Sequence, residues 1–237
     1  MKRDARVFVL LVAFGLVVSV PERSRAAAVE VVLSPSLRAT VTRIDQVEKV
    51  AEQQFRDHRT YDDFSRSARA VPANAVLGQV GWANERLVPS VAEYGVESLV
   101  RALMVESFAK AGITDPALRL RVTVDRIGVR NHPVAPLRGN NNYVTGTFEE
   151  LDASGAVKRS VEVVSNLVAS PTSDHGYRGA DFAFDDSDAS RRVGPSLAYF
   201  VTKGLRRLYP DHDFPKVVTV LFGDRDTSDR PTLVRVP

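Results

Sequence analysis

Three successive segments between residues 118 and 167 alternate apolar and polar side chains, and this pattern constrains the fold more than any other feature of the chain. Leu118, Leu120, Val122 and Val124 interleave with Arg119, Arg121, Thr123 and Asp125. Successive side chains on a strand point to opposite faces, so this segment has one dry face and one wet face. The phase slips at Arg126-Ile127, where a bulge fits. Tyr143 to Leu151 reads as a second strand, and Val157, Arg159, Val161, Val163, Ser165 and Leu167 share one face of a third. Asp152-Ala153-Ser154-Gly155 between them is a tight turn in which the glycine supplies a positive φ. The three strands form an antiparallel meander whose dry face must be covered.

Two amphipathic segments can cover it. Val96, Leu99, Val100, Leu103, Met104, Phe108 and Ala111 recur at helical spacing and stop at Gly112, a C-cap residue. Ser90-Val91-Ala92-Glu93 has capping-box spacing just before them. Val193, Leu197, Phe200, Val201, Leu205 and Leu208 form a second stripe, with Pro195 in its first turn and Tyr209-Pro210 at its end. Around this centre, residues 29–33 and 216–222 read as strands. Residues 43–57 read as a helix with Ile44, Val47, Ala51 and Phe55 on one stripe, and 76–82 as a weak strand. Residues 58–73 and 169–186 are polar connections. The expected fold is α+β: a mostly antiparallel sheet with two main amphipathic helices packed on one face. It occupies a single domain over residues 29–222, followed by a loosely held tail over 223–237.

The first residues carry an address. Lys2, Arg3 and Arg6 precede an unbroken apolar run from Val7 to Val20, and Ala26-Ala27-Ala28 offers small residues for a signal peptidase. This is the order of a secretory leader. Fourteen residues span about 21 Å as a helix, short of the roughly 30 Å hydrocarbon core, so cleavage near Ala28 is expected rather than anchoring. The 32 basic and 29 acidic residues give the whole chain a charge of +3, but residues 1–28 hold five of the basic and two of the acidic. The remainder is balanced at 27 of each, which removes the electrostatic footprint of a nucleic-acid binder. There is no cysteine. A disulfide framework and a lipid anchor on cysteine are therefore both excluded, and a hydrophobic core must hold the domain.

No motif commits the chain to a reaction, a cofactor or a metal. Asp174, Asp181, Asp185, Asp186 and Asp188 crowd near His175, but an EF-hand register starting at Asp186 puts Arg191 at position six and Leu197 at position twelve. Asp185 to Asp188 instead suit the N-terminus of the following helix. His58, His132, His175 and His212 fall in expected loops without ligand spacing, and no G-x-S-x-G elbow is present. The loop over 130–142 is the most suggestive feature for binding: Arg130, His132, Arg138, Asn140, Asn141 and Asn142 supply many donors between two strands. The same composition also suits a solvated connection.

The order of elements from residue 90 to residue 210 is a helix closing on Gly112, the L-x-L-x-V-x-V strand, a loop, a strand leading into a D-x-x-G turn, another strand and the Arg192–Leu208 helix. It resembles small exported envelope proteins and lipoproteins of Gram-negative bacteria, some of them auxiliary to lipid or lipopolysaccharide transport. The resemblance implies a non-enzymatic periplasmic binding or assembly component whose partner is an envelope protein or a small lipid-like ligand. Two further readings stay open: a periplasmic hydrolase using the aspartate and histidine loops, and a carrier with an apolar pocket between sheet and helices.

Overall fold

A computed structural model describes residues 28–60, 80–172 and 177–220. Residues 1–27 of the expected leader, most of the 58–73 connection, Asp174, His175 and the C-terminal tail lie outside the described residues. The alternating segments form the expected sheet. Strand β2 (Arg119–Arg130) pairs antiparallel with β4 (Tyr143–Leu151), and β4 pairs antiparallel with β5 (Val157–Asn166). The register slips between Val124 and Arg126, next to the phase change in the sequence. Gly155 takes φ +87, as its turn requires. Strand β1 (Ala28–Leu33) joins the other edge of β2 in parallel, so the main sheet is mixed. Short β3 (Arg138–Gly139) adds to the end of β2.

The even-numbered side chains of β2 and β4 make the dry face: Leu120, Val122, Val124, Val144 and Phe148 are buried. Helix α3 (Val96–Ala111) and helix α5 (Val193–Leu208) cover it side by side, α3 toward β1 and α5 over β4 and β5. Leu103 and Phe108, on the stripe of α3, belong to this core. Helix α5 packs directly on the sheet at Gly204, which presents no side chain there. A Cβ at that position would lie 2.3 Å from the Phe148 ring, which packs on Phe200 at 4.9 Å.

The opposite face is wet, as an antiparallel sheet permits, and Arg121 there pairs with Glu30 at 2.8 Å. The β5 edge is blunted by α5, whose Lys203 and Arg207 donate to the Val164 and Glu162 carbonyls. At the far end Glu150 accepts from Lys158, Arg159 and Tyr209. These bonds overcome its burial and hold its carboxyl down at about 2.

A second sheet was not legible in the sequence. Strands β6 (Ser170–Thr172), β7 (Phe182–Asp185) and β8 (Val217–Val220) run parallel in the order β6-β8-β7. All four β8 residues are buried, which explains why 217–220 reads Val-Val-Thr-Val instead of alternating apolar with charged residues. The weak strand expected over 76–82 reduces, among the described residues, to a single bridge between Trp82 and Ala183. Helix α2 (Ala83–Leu87) follows it at once.

Helix α1 (Pro35–Thr60) starts eight residues before the apolar stripe suggests. It also corrects the capping of α3. The Ser90 side chain makes no cap bond. Val91–Glu93 is a separate 3-10 turn, and α3 begins after Gly95. The free amide of Val96 donates instead to Asp45 Oδ1 of α1 at 2.9 Å. A Cβ on residue 95 would lie 2.8 Å from the Asp45 carboxyl carbon, so glycine there admits the cap. Asp45→Ala is expected to cost about 0.5–2 kcal/mol, read as a lower urea midpoint with an unchanged slope. An unchanged midpoint would show that the cap contributes nothing.

Candidate functional site

Helix α1 carries two glutamates where its buried stripe calls for apolar residues. Glu48 stands four residues after Ile44 and three before Ala51, and Glu52 follows one turn later. Both are buried, at 1% and 0% exposure. Buried carboxylates must be paired and hydrogen-bonded, and both are. Glu52 accepts from Arg56 at 2.7 Å, from the Asn84 amide of α2 at 2.6 Å and from Arg192 at 3.0 Å. Glu48 accepts from Arg192 Nε at 3.1 Å, from His132 at 2.9 Å and from the backbone amide of Val193 at 3.3 Å. The last of these caps α5, whose own flanking residue, Arg192, supplies no side-chain cap. Helix α1 thus caps both core helices from outside their own sequences.

His132 is fully buried. Its Nδ1 accepts the Val134 amide at 3.1 Å, so the ring proton lies on Nε2 and is donated to Glu48. Arg192 is the hub. Its guanidinium meets Glu48, Glu52 and Asp188 and lies over the Tyr94 ring at 5.3 Å. Burial alone would lower its proton affinity, but Tyr94 and the three carboxylates hold it firmly charged. Two guanidinium groups, of Arg56 and Arg192, face three carboxylates, of Glu48, Glu52 and Asp188. Asp188 is the surplus acid. Burial, followed by the neighbouring Asp185, Glu48 and Glu52, raises its carboxyl to about 7 against the pull of Arg192.

Asp185 to Asp188 divide their labour. Asp185 caps the short helix α4 (Asp186–Ala189) by accepting the Ser187 amide at 2.8 Å. Asp188 turns inward to Arg192. Asp181 is held by Lys110 at 3.0 Å, the Lys216 amide at 2.9 Å and Tyr177 at 3.2 Å. Among the described residues no group of three acidic or histidine side chains is arranged to hold a metal ion.

The charged cluster forms the floor of an open cleft of about 670 Å³ between α1, the turn at 131–133 and α4. Half-buried Val47, Ala51 and Phe55 line one wall, and Asn131, Asp188 and Arg191 the others. Asn131 has a left-handed backbone, φ 59, and also lines a neighbouring depression of about 430 Å³ with Arg138, Gly139 and Asn140.

The 130–142 loop divides along the same line. His132, Val134 and Leu137 are buried and fix its path. Arg138 donates its Nε to the His132 carbonyl at 3.2 Å. Asn142 is half-buried; it accepts the Arg130 amide at 2.6 Å and donates to the Ala189 carbonyl, tying the loop to α4. Arg130, Asn140 and Asn141 are exposed. The loop therefore reaches the cleft through Asn131, a residue the sequence did not single out. Glu48, Glu52 and Arg192 were also missed; their signal was a glutamate pair inside an apolar stripe. Compared with known proteins, the chain matches no family model, no curated protein and no solved structure.

Proposed function

We propose that this chain is an exported, non-enzymatic component of the bacterial cell envelope that binds a partner through the α1–α4 cleft. The observation that carries the reading is the state of the groups at that cleft. Glu48, Glu52, Arg192 and His132 are saturated by one another and by backbone. Arg191, Gln54 and Asn131 line the opening with no hydrogen-bond partner for their side chains among the described residues. A rigid, internally satisfied floor beneath unspent donors suits recognition, which depends on preorganised polar groups around an apolar surface. The basic start, apolar run and Ala26-Ala27-Ala28 support export. Among the described residues no helix is long and apolar enough to cross a membrane.

Asp188 favours one other reading. A carboxyl raised to about 7 at a cleft wall has the proton affinity of a general acid or base, as in a hydrolase. Site-specific photo-cross-linking in a periplasmic expression host tests both readings. A photoreactive residue at position 54 or 131 is expected to capture a partner, and one at Thr147 on the wet sheet face is not. Capture only at Thr147 would move the binding surface elsewhere. Turnover of ester, phosphoester or peptide substrates that is lost in Asp188→Asn would replace binding by catalysis. Intact mass of the same exported protein is expected to lack the leader, with a new N-terminus near Ala28. Ala28 donates to the Leu118 carbonyl at 3.0 Å and is the first residue of β1. A mass including residues 1–28 would sink the export reading.

A further inference from the structure

We infer that the α1–α4 cleft takes a single-chain anionic amphiphile, an acidic head of the carboxylate or phosphate-monoester class on a short apolar body. The inference rests on the binding reading of that cleft and adds the chemistry of its ligand.

Charge complementarity sets the sign of the head. The carboxylates that reach the cleft are already engaged: Glu48 by Arg192, His132 and the Val193 amide, and Asp188 by Arg192. A cationic ligand would have to compete with a buried guanidinium that three carboxylates and an aromatic face hold in place. Of the charged side chains that line the cleft, Arg191 is the one left without a charged partner among the described residues. Arg191 is exposed, lines the cleft, and its guanidinium has no partner among the described residues. An arginine fork matches a carboxylate or phosphate oxygen pair, a geometry an ammonium group cannot use. Asn131 lines the same cleft, its side-chain amide without a partner among the described residues, and the adjoining depression adds Arg138, of whose guanidinium only Nε is engaged among those residues.

The wall opposite sets the nature of the body. Val47, Ala51 and Phe55 recur every four residues, so they make one continuous apolar strip along α1, and none of them is fully buried by the protein itself. A purely inorganic anion would leave this strip in water. An acyl or alkyl chain covers it, at about 25 cal/mol per Å² of apolar surface removed from water. A volume of about 670 Å³ lies within the usual range for sites of small organic ligands.

The protein contains its own reporter. Trp82 is the single tryptophan, and it meets Phe55 edge to face at 5.2 Å. Titration with laurate and dodecyl phosphate below their micellar concentrations is expected to change Trp82 emission saturably. Inorganic phosphate and dodecyltrimethylammonium should bind at least tenfold more weakly. Arg191→Ser should weaken laurate at least tenfold, and Arg101→Ser on exposed α3 surface should leave it unchanged. Equal binding of dodecyltrimethylammonium, or an unchanged laurate affinity in Arg191→Ser, would remove the anionic head from the proposal. Inorganic phosphate binding as tightly as dodecyl phosphate would remove the apolar body. If no amphiphile binds while a protein is cross-linked at positions 54 and 131, the ligand class is wrong and the binding reading stands. If neither occurs, both fall.

Discussion

Arg192→Met is expected to destabilise the protein by about 3–5 kcal/mol, the scale of removing one partner from a buried ion cluster. The arginine is 5% exposed and joins α5 to two turns of α1 through Glu48 and Glu52. Without it, Arg56 still serves Glu52. Glu48 keeps only His132 and the Val193 amide, and Asp188 loses its cation. The residual negative charge on Glu48, at 1% exposure, has little solvent to spread into. A total stability of about 5–15 kcal/mol is typical, so the loss is a large share of it. The triple variant Arg192→Met, Glu48→Gln, Glu52→Gln separates two explanations. If uncompensated charge is the cause, neutralising the glutamates recovers much of the loss, because replacing a whole buried cluster is often close to neutral. Urea midpoints of the single and triple variants decide. A single variant as stable as wild type would mean that the cluster does not fix α1 on the core.

Asp188 should make the protein less stable as pH rises from about 4 to about 7. The sign follows from linkage. The carboxyl is raised from 3.8 to about 7 in the folded state, so between those values the native protein holds a proton that the unfolded chain releases. Stability then falls with pH, with full benefit below 3.8 and none above about 7. A shift of this size corresponds to a difference on the order of 4 kcal/mol across the window. Other groups titrate in the same range, and comparison with Asp188→Asn isolates this one. The amide imitates the protonated acid, so wild type and variant should match near pH 4, and the variant should be the more stable by several kcal/mol at pH 8. Parallel stability curves for the two proteins would show that Asp188 is an ordinary surface acid. A group that lowers stability at neutral pH and lies on a cleft wall fits a site kept for binding more than for strength.

The sequence determined the sheet and its cover, because both are periodicities that a chain expresses locally. Leu120, Val122 and Val124 had to share a face whatever lay opposite, and Leu103 and Phe108 had to share a helix stripe. Gly155 marked its turn because only glycine adopts its backbone angle freely. The parallel sheet was not legible, since β6, β7 and β8 are three or four residues long and meet only through tertiary contact. The caps misled for the same reason. Ser90 and Glu93 have the right spacing, yet Asp45, 51 residues away, holds the amide. The cleft depends on distance most of all. Glu48 and Arg192 lie 144 residues apart, and Glu48 and His132 lie 84 apart. No local rule announces that a glutamate in an apolar stripe will find an arginine, a histidine and a helix end. Burial makes each of those partners obligatory, and only the packing of α1 against α5 and the 130–142 loop decides which residues they are.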